Sequence, residues 1–150
     1  MAETAQLQSG MRELALFKVN DMICGLDTSL VQEINKQTEI TDVHLAPNYV
    51  RGVMNLRGEI ATVIDLRTKF GLESLEINDE MKVVVVRQGT ENIGLLVDSV
   101  SDVVMADPQK ISPPPSNVSG VTGIFFDGIY TMENDLVAVL NVDELLKMGD

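Results

Sequence analysis

The sequence has little of what nucleic-acid-binding proteins need. It contains no tryptophan, two tyrosines and four phenylalanines, and its 11 Lys and Arg face 23 Asp and Glu. Phosphate contacts require clustered positive charge, and single-strand binders add aromatic side chains on which bases stack. The formal net charge of −12 therefore disfavours nucleic acid as a partner and is typical of a solvated acidic surface.

Metal-ligating and nucleophilic residues are equally scarce. The chain has one cysteine, Cys24, and one histidine, His44. A single cysteine excludes an internal disulfide, and one His with one Cys does not supply the three or four ligands of a zinc site. Phosphate-binding loops, dinucleotide fingerprints, calcium loops and nucleophile elbows are also missing. We expect no catalytic residue, no metal and no cofactor.

No apolar run reaches the roughly 18 residues needed to span a bilayer. Residues 1–10 are small and polar, without the basic start and apolar stretch of a signal peptide. These features predict a flexible N-terminal tail, no direct membrane insertion and a cytoplasmic protein.

One enzymatic alternative comes from two short acidic motifs. Aspartic proteases are two-lobed β proteins in which an Asp-Thr/Ser-Gly motif from each lobe supplies one of two carboxylates. Asp27-Thr28 and Asp98-Ser99 resemble this pattern, but neither pair is followed by glycine. They are more simply residues at strand ends, and a hydrolytic or ligand-binding β protein remains only as the alternative.

Short strands separated by turns dominate the periodicity. Four hairpins are predicted, with turns at Asn20-Asp21, Arg57-Gly58, Gly89-Thr90-Glu91 and Gly128. Short helices are predicted at residues 66–70 and 143–148, the second capped by Asp143. Strands of this length with turns every 8–12 residues indicate an all-β barrel or sandwich.

The two halves of the chain resemble each other. Gly25-Leu26 aligns with Gly94-Leu95, and Val63-Ile64-Asp65-Leu66 aligns with Val139-Leu140-Asn141-Val142. Val50-Arg51-Gly52-Val53 is aligned with Val121-Thr122-Gly123-Ile124. The repeat predicts two similar small barrels, over residues 11–75 and 76–150, the second ending in a helix.

One segment has a more specific likeness. NYVRGVMNLRGEIATVIDLRTKFG, at residues 48–71, resembles the CheW-like family of bacterial chemotaxis coupling proteins, and so do VQEI at 31–34 and ENIGLLVDSVSDVV at 91–104. Most of the chain is similar in order and spacing. Thr62 departs from the family, which often has proline there, and so does the polar loop at residues 112–117.

The resemblance implies a fold and a function. The fold is two five-stranded SH3-like barrels packed together, with short helices. The function is that of a non-catalytic adaptor joining the cytoplasmic tips of chemoreceptors to the regulatory domain of the CheA histidine kinase, in membrane-associated arrays. An adaptor for a different chemosensory array is the nearest alternative.

The resemblance also implies a set of residues that contact the receptor, the kinase or both. The predicted partner-binding residues are Arg57, Val31, Glu33, Gly52, Asn55, Val100 and Val103. Gly58 and Gly94 are predicted as structural turn glycines. Core packing is the preferred interpretation for Val100 and Val103, and a close backbone approach or a bulge for Gly52.

Positive charge is concentrated in residues 51–70, where Arg51, Arg57, Arg67 and Lys69 face only two acidic residues. Arg57 alone is an ordinary exposed turn residue, but with the resemblance it becomes the first candidate for partner contact. A guanidinium on a rigid hairpin offers several donors in a fixed plane. Arg67 and Lys69 are interpreted as complementing the C-terminal end of their short helix.

Overall fold

A computed structural model describes residues 10–36 and 40–147 of the chain. Strands dominate these residues and form one six-stranded sheet, one five-stranded sheet and a small two-stranded ribbon, so the predicted all-β class is confirmed. The predicted tail at residues 1–10 lies almost wholly outside the described part. Within that part, no helix has the length and apolarity that crossing a membrane would require.

The described residues form thirteen strands and two short helices. The strands are β1 (Arg12–Val19), β2 (Met22–Asp27), β3 (Val31–Lys36), β4 (Val50–Leu56), β5 (Glu59–Asp65), β6 (Lys82–Gln88), β7 (Glu91–Val97), β8 (Ser99–Ala106), β9 (Ile111–Ser112), β10 (Asn117–Val118), β11 (Val121–Thr122), β12 (Phe126–Thr131) and β13 (Leu136–Leu140). The helices are α1 (Leu66–Lys69) and α2 (Val142–Leu145). Single 3-10 turns cover Thr28–Leu30, Pro108–Lys110 and Gly123–Phe125.

Each of the two large sheets contains strands from both halves of the sequence. The six-stranded sheet has the order β8-β1-β2-β13-β12-β9, and the five-stranded sheet has the order β3-β6-β7-β5-β4. Each sheet therefore joins the first hairpin of one repeat to the last hairpin of the other, through the parallel pairs β2–β13 and β5–β7. The predicted division between residues 75 and 76 does not separate the sheets, because non-local parallel pairing decides which strands lie together.

The internal repeat is visible in the strand register. In the parallel pairs, Gly25 lies opposite Val139 and Gly94 opposite Val63, as the sequence alignment of these residues requires. The sequence alignment of Gly52 with Gly123 is wrong, however. Gly52 pairs with Val63, so its counterpart is Gly128, which pairs with Val139, and both glycines follow a register shift in their strand.

Three of the four predicted hairpin turns are confirmed. Antiparallel pairs β1–β2, β4–β5 and β6–β7 flank the turns expected from Asn20-Asp21, Arg57-Gly58 and Gly89-Thr90. The turn at Gly128 is wrong, because this glycine lies inside β12 and a Cβ there would contact the Ser112 carbonyl oxygen of β9 at 2.6 Å. Glycine serves here for close strand approach rather than for a turn.

Gly94, also predicted as a turn glycine, lies in the interior of β7. It is buried between Val85 of β6 and Val63 of β5, and a Cβ would meet the Val83 side chain at 2.5 Å. The turn prediction for Gly94 is therefore wrong, and its role is to let neighbouring side chains pack over the strand.

Both predicted helices begin at equivalent caps. The Asp65 side chain accepts hydrogen bonds from the amides of Arg67 and Thr68, and the Asn141 side chain accepts one from the Glu144 amide. The predicted cap of the second helix, Asp143, is wrong, because the helix begins earlier and Asn141 satisfies a first-turn amide.

The described residues form three hydrophobic clusters. One cluster lies within the five-stranded sheet around Val63 and Val83, and a second lies within the six-stranded sheet around Leu14 and Val137. The largest cluster contains residues from both sheets, including Phe17 and Leu95. Each sheet thus curls around its own core, and the central cluster holds the two sheets together.

Candidate partner-binding site

The β4–β5 turn is a rigid platform. Arg57 and Gly58 both have positive φ, 54° and 87°, as a type I′ hairpin turn requires. The Asn55 side-chain oxygen accepts a hydrogen bond from the Gly58 amide at 3.0 Å. The predicted positive φ at Gly58 is confirmed, and Asn55 fixes the turn that presents Arg57.

The Arg57 side chain lies beside Glu33 of β3. Its Nη2 is 3.6 Å from the Glu33 Oε1, with the arginine side chain 83% exposed and the glutamate 25% exposed. Because β3 and β4 are opposite edges of the five-stranded sheet, this contact shows that the sheet closes on itself. The structure therefore joins two predicted site residues that are 24 positions apart in the sequence.

A small cleft opens around this ion pair, with a volume of about 200 Å³. It is lined by Gln32, Glu33, Leu56, Arg57, Glu59, Arg87 and Asn92. The Asn92 side-chain amide donates to Glu59 Oε1 at 2.8 Å, and Arg87 Nε donates to the Gly89 carbonyl at 3.2 Å. Gln32, Arg87 and Asn92 are not predicted as site residues by the sequence, because only closure of the barrel brings them together.

Other positive charges of the segment are engaged within the fold. Arg51 Nη1 binds Asp65 Oδ2 at 2.9 Å, and Asp65 is buried. Arg67 forms a two-pronged contact with Asp98, and these hydrogen bonds raise the pKa of the Arg67 guanidinium above its already high value. Arg67 is therefore committed to an ion pair, although its Nη1 also donates to the Glu73 carbonyl at 3.2 Å.

Lys69 is held in a similar way. Its Nζ lies 4.0 Å from the centre of the Tyr49 ring and donates to the Lys147 carbonyl at 3.0 Å. Lys69 lies with Arg67 in the last turn of α1, the position predicted for both side chains, and these contacts are additional. Of the four basic residues in 51–70, Arg57 is exposed and the other three are half-buried.

The carboxylates of the enzymatic alternative are paired with different arginines. Asp27 binds Arg12 with distances of 2.6 and 3.2 Å, and Asp98 binds Arg67. Each aspartate thus has a structural role at the end of a strand.

Comparison with known proteins decides the family. A family model described as CheW-like domain matches residues 13–149. The chain belongs to the CheW-like domain family. The resemblance predicted from the NLRG segment is therefore confirmed.

Individual relatives cover nearly the whole chain. It is 31% identical over 139 residues to the chemotaxis protein CheW of Rhizobium meliloti (strain 1021), covering 93% of this chain and 90% of that protein. It is 35% identical over 131 residues to the chemotaxis protein CheW of Helicobacter pylori (strain ATCC 700392 / 26695), with coverages of 87% and 79%. The crystal structure of the scaffolding protein TtCheW from Thermoanaerobacter tengcongensis is similar with a TM-score of 0.84 and 28% identity, covering 93% of this chain and 90% of that one.

In this CheW-like fold, Gly52 has a packing role. It is buried in β4, and an added Cβ would overlap the backbone carbonyl of Thr41. Thr41 and Val53 exchange two backbone hydrogen bonds of 2.8 Å beside it. The close backbone approach expected at Gly52 is confirmed, while its contact with a partner stays a prediction.

The three predicted valines divide into two environments. Val31 of β3 and Val100 of β8 are half-buried and pack against the central cluster. Val103 of β8 is 57% exposed, so the expectation that it packs in the core is wrong, because its side chain lies on the outer face of an edge strand. An exposed valine on this outer face is available to a partner.

Proposed function

We propose that this CheW-like chain is a non-catalytic adaptor that couples chemoreceptors to a CheA-type histidine kinase in bacterial chemotaxis. Its partners are the cytoplasmic tip of the receptors and the regulatory domain of the kinase, and it acts in the cytoplasm at membrane-bound receptor arrays. Family membership supports the adaptor role. The observation that carries the contact assignment is the exposed Arg57, held on a type I′ turn beside Glu33.

The geometry suits recognition of a helical partner. The turn fixes the Arg57 backbone, and the ion pair with Glu33 limits the directions that the long side chain samples. A guanidinium prepared in this way loses less conformational entropy when it binds a carboxylate or a carbonyl. The exposed Val103 adds apolar surface on the edge strand β8, which suits the apolar positions of a helical receptor tip, while Val31 of β3 is half-buried.

The test is reconstitution with receptor-containing vesicles, the kinase, and either wild-type chain or the Arg57→Asn variant. Asparagine adopts positive φ readily, so this change removes the guanidinium and keeps the turn. The matched control is Lys18→Gln, which removes one exposed positive charge from β1, on the other sheet.

Wild type and Lys18→Gln are expected to recruit the kinase to vesicles and to place its phosphorylation under receptor control. Arg57→Asn is expected to reduce recruitment about tenfold with unchanged thermal unfolding. Equal recruitment by Arg57→Asn would remove Arg57 from the contact surface. Failure of wild type to recruit the kinase with cognate partners would overturn the adaptor function itself.

A further inference from the structure

The cleft beside Arg57 contains a second arginine, Arg87, near the end of β6. It lines the same space of about 200 Å³ as Arg57 and Glu33. Arg87 lies next to Val86, which pairs with Val31 of β3, so the strand that carries Glu33 and the strand that carries Arg87 are hydrogen-bonded neighbours. The position of Arg87 is therefore fixed by the same sheet as the ion pair.

In the cleft, the carboxylates have partners, whereas several guanidinium donors have none within the described residues. Glu33 forms an ion pair with Arg57 at 3.6 Å, and Glu59 accepts a hydrogen bond from Asn92 at 2.8 Å. The donors are in excess. Arg57 is mostly exposed, and the Arg87 Nη1 and Nη2 atoms donate to no residue within 10–36 or 40–147. A ligand that supplies acceptors fits this cleft better than one that supplies donors.

The size of the cleft narrows the class of ligand. Sites for small molecules usually enclose about 300 Å³ or more, and this cleft is smaller and open. Its floor includes Leu56, whose side chain is largely buried. Such a space accommodates the end of one side chain from a partner protein, with a short apolar stem and a terminal acceptor.

We propose that Arg87 is a second partner-contact residue, and that Arg57 and Arg87 together bind a Glu or Asp side chain of the helical receptor tip. The carboxylate has two oxygens, and each can accept from one guanidinium while Glu33 keeps Arg57 in place. This inference rests on the proposed function and specifies the chemistry that the partner presents at the same site.

The experiment uses the cytoplasmic helical fragment of a cognate chemoreceptor as the probe. Its dissociation constant is measured by calorimetry for wild type, Arg57→Asn, Arg87→Gln, the double variant, Arg87→Lys and the Lys18→Gln control. Both arginine changes are expected to weaken binding about tenfold. The double variant is expected to weaken it by less than the product of the two, because the arginines share one carboxylate.

Two further readouts separate direct contact from an indirect effect. In the protein labelled with ¹⁵N-arginine, the Nε resonances of Arg57 and Arg87 are both expected to shift when the fragment is added. Arg87→Lys is expected to recover only part of the affinity, because an ammonium lacks the planar pair of donors. Acidic residues of the fragment are then changed one at a time, Glu→Gln and Asp→Asn. One of these changes is expected to weaken binding to wild type as much as the arginine changes do, and to have no further effect on binding to the double variant.

The outcomes distinguish this inference from the proposed function. If Arg57→Asn weakens binding and Arg87→Gln behaves like Lys18→Gln, the role of Arg87 is overturned while the adaptor function stands. If Arg87→Gln weakens only the binding of the kinase regulatory domain, the proposed contact of Arg87 with a receptor carboxylate is overturned. If wild type does not bind the fragment, the receptor-binding part of the proposed function fails, and the Arg87 inference fails with it.

Discussion

The Arg67 guanidinium and the Asp98 carboxylate form a two-pronged ion pair, with Nε 2.8 Å from Oδ1 and Nη2 2.7 Å from Oδ2. Arg67 belongs to α1, which follows β5 of the five-stranded sheet, while Asp98 lies between β7 and β8, where the chain passes from one sheet to the other. Asp98 Oδ2 also accepts from the Asn20 amide in the β1–β2 turn at 2.8 Å. The pair therefore connects both sheets at the crossing point of the chain.

Removal of either partner of this pair should destabilise the fold. Both side chains are mostly shielded from solvent, so Arg67→Ala is expected to lower the free energy of unfolding by about 2 kcal/mol. Asp98→Ala should cost slightly more, because the Asn20 amide loses its acceptor. Denaturant unfolding of both single variants and of the double variant measures the coupling between the two residues.

The more exposed pair of Lys147 with Glu144 provides the comparison. Lys147→Ala is expected to change the unfolding free energy by less than about 0.5 kcal/mol. Strictly additive effects of Arg67→Ala and Asp98→Ala would show that the two side chains do not stabilise each other.

Local signals in the sequence were sufficient for hairpins but not for the assembly of sheets. Asn20-Asp21 and Arg57-Gly58 specify turns through the backbone preferences of a few adjacent residues. The exchange of strands depends on the parallel pairs β2–β13 and β5–β7, whose partners are far apart in the chain. The sequence wrongly predicts turns at Gly94 and Gly128, because glycine serves both turns and close contacts between strands.

For the candidate site, too, the sequence predicts individual residues but not how the fold brings them together. The family resemblance identified Arg57 and Glu33 one by one, but did not predict that they form an ion pair. Arg87 cannot be predicted from the sequence, because nothing near it in the chain connects it with residue 57. It joins the cleft only when β3, β6 and the β4–β5 turn meet in the closed barrel.

Alanine at Gly94 should destabilise the protein by overpacking its core. Its Cβ would lie 2.5 Å from Val83 Cγ1, whereas the equivalent Cβ at Gly25 would lie 2.9 Å from Val137 Cγ1. Gly94→Ala is therefore expected to cost about 2 kcal/mol of unfolding free energy, and Gly25→Ala less. The double variant Gly94→Ala/Val83→Ala should recover part of the unfolding free energy lost in Gly94→Ala, since it removes the clashing methyl groups. A larger loss at Gly25 than at Gly94 would contradict the packing that the structure shows.

Alanine at Gly52 should act on β4 rather than directly on a partner. The backbone carbonyl of Thr41 occupies the space that a Cβ requires, and a backbone group cannot move as easily as a side chain. Gly52→Ala is expected to lower the unfolding free energy by about 2 kcal/mol or more and to speed hydrogen exchange at the Thr41 and Val53 amides. Loss of partner binding with normal exchange at these two amides would instead identify Gly52 as a direct contact.

The Cys24 thiol should make stability sensitive to alkaline pH. It is fully buried in the central cluster, and burial, followed by the negative charge of Asp98, raises the pKa of the thiol far above its ordinary value of 9.0. The folded chain thus keeps the proton that the unfolded chain loses, so this contribution to stability is complete below pH 9 and declines as the pH rises toward the folded-state pKa. Roughly 1.4 kcal/mol should be lost by pH 10 relative to neutral pH.

Unfolding curves of wild type and Cys24→Ala at pH 7 and pH 10 isolate this contribution, because the other titrating groups are common to both chains. The difference between the two chains should shrink at pH 10, since alanine has no proton to lose. A thiol reagent should label native wild type only at the rate of opening of the fold, because the sulfur has no solvent exposure. Rapid labelling, or the same pH dependence in both chains, would show that the thiol ionises without unfolding and that the centre of the core is open to water.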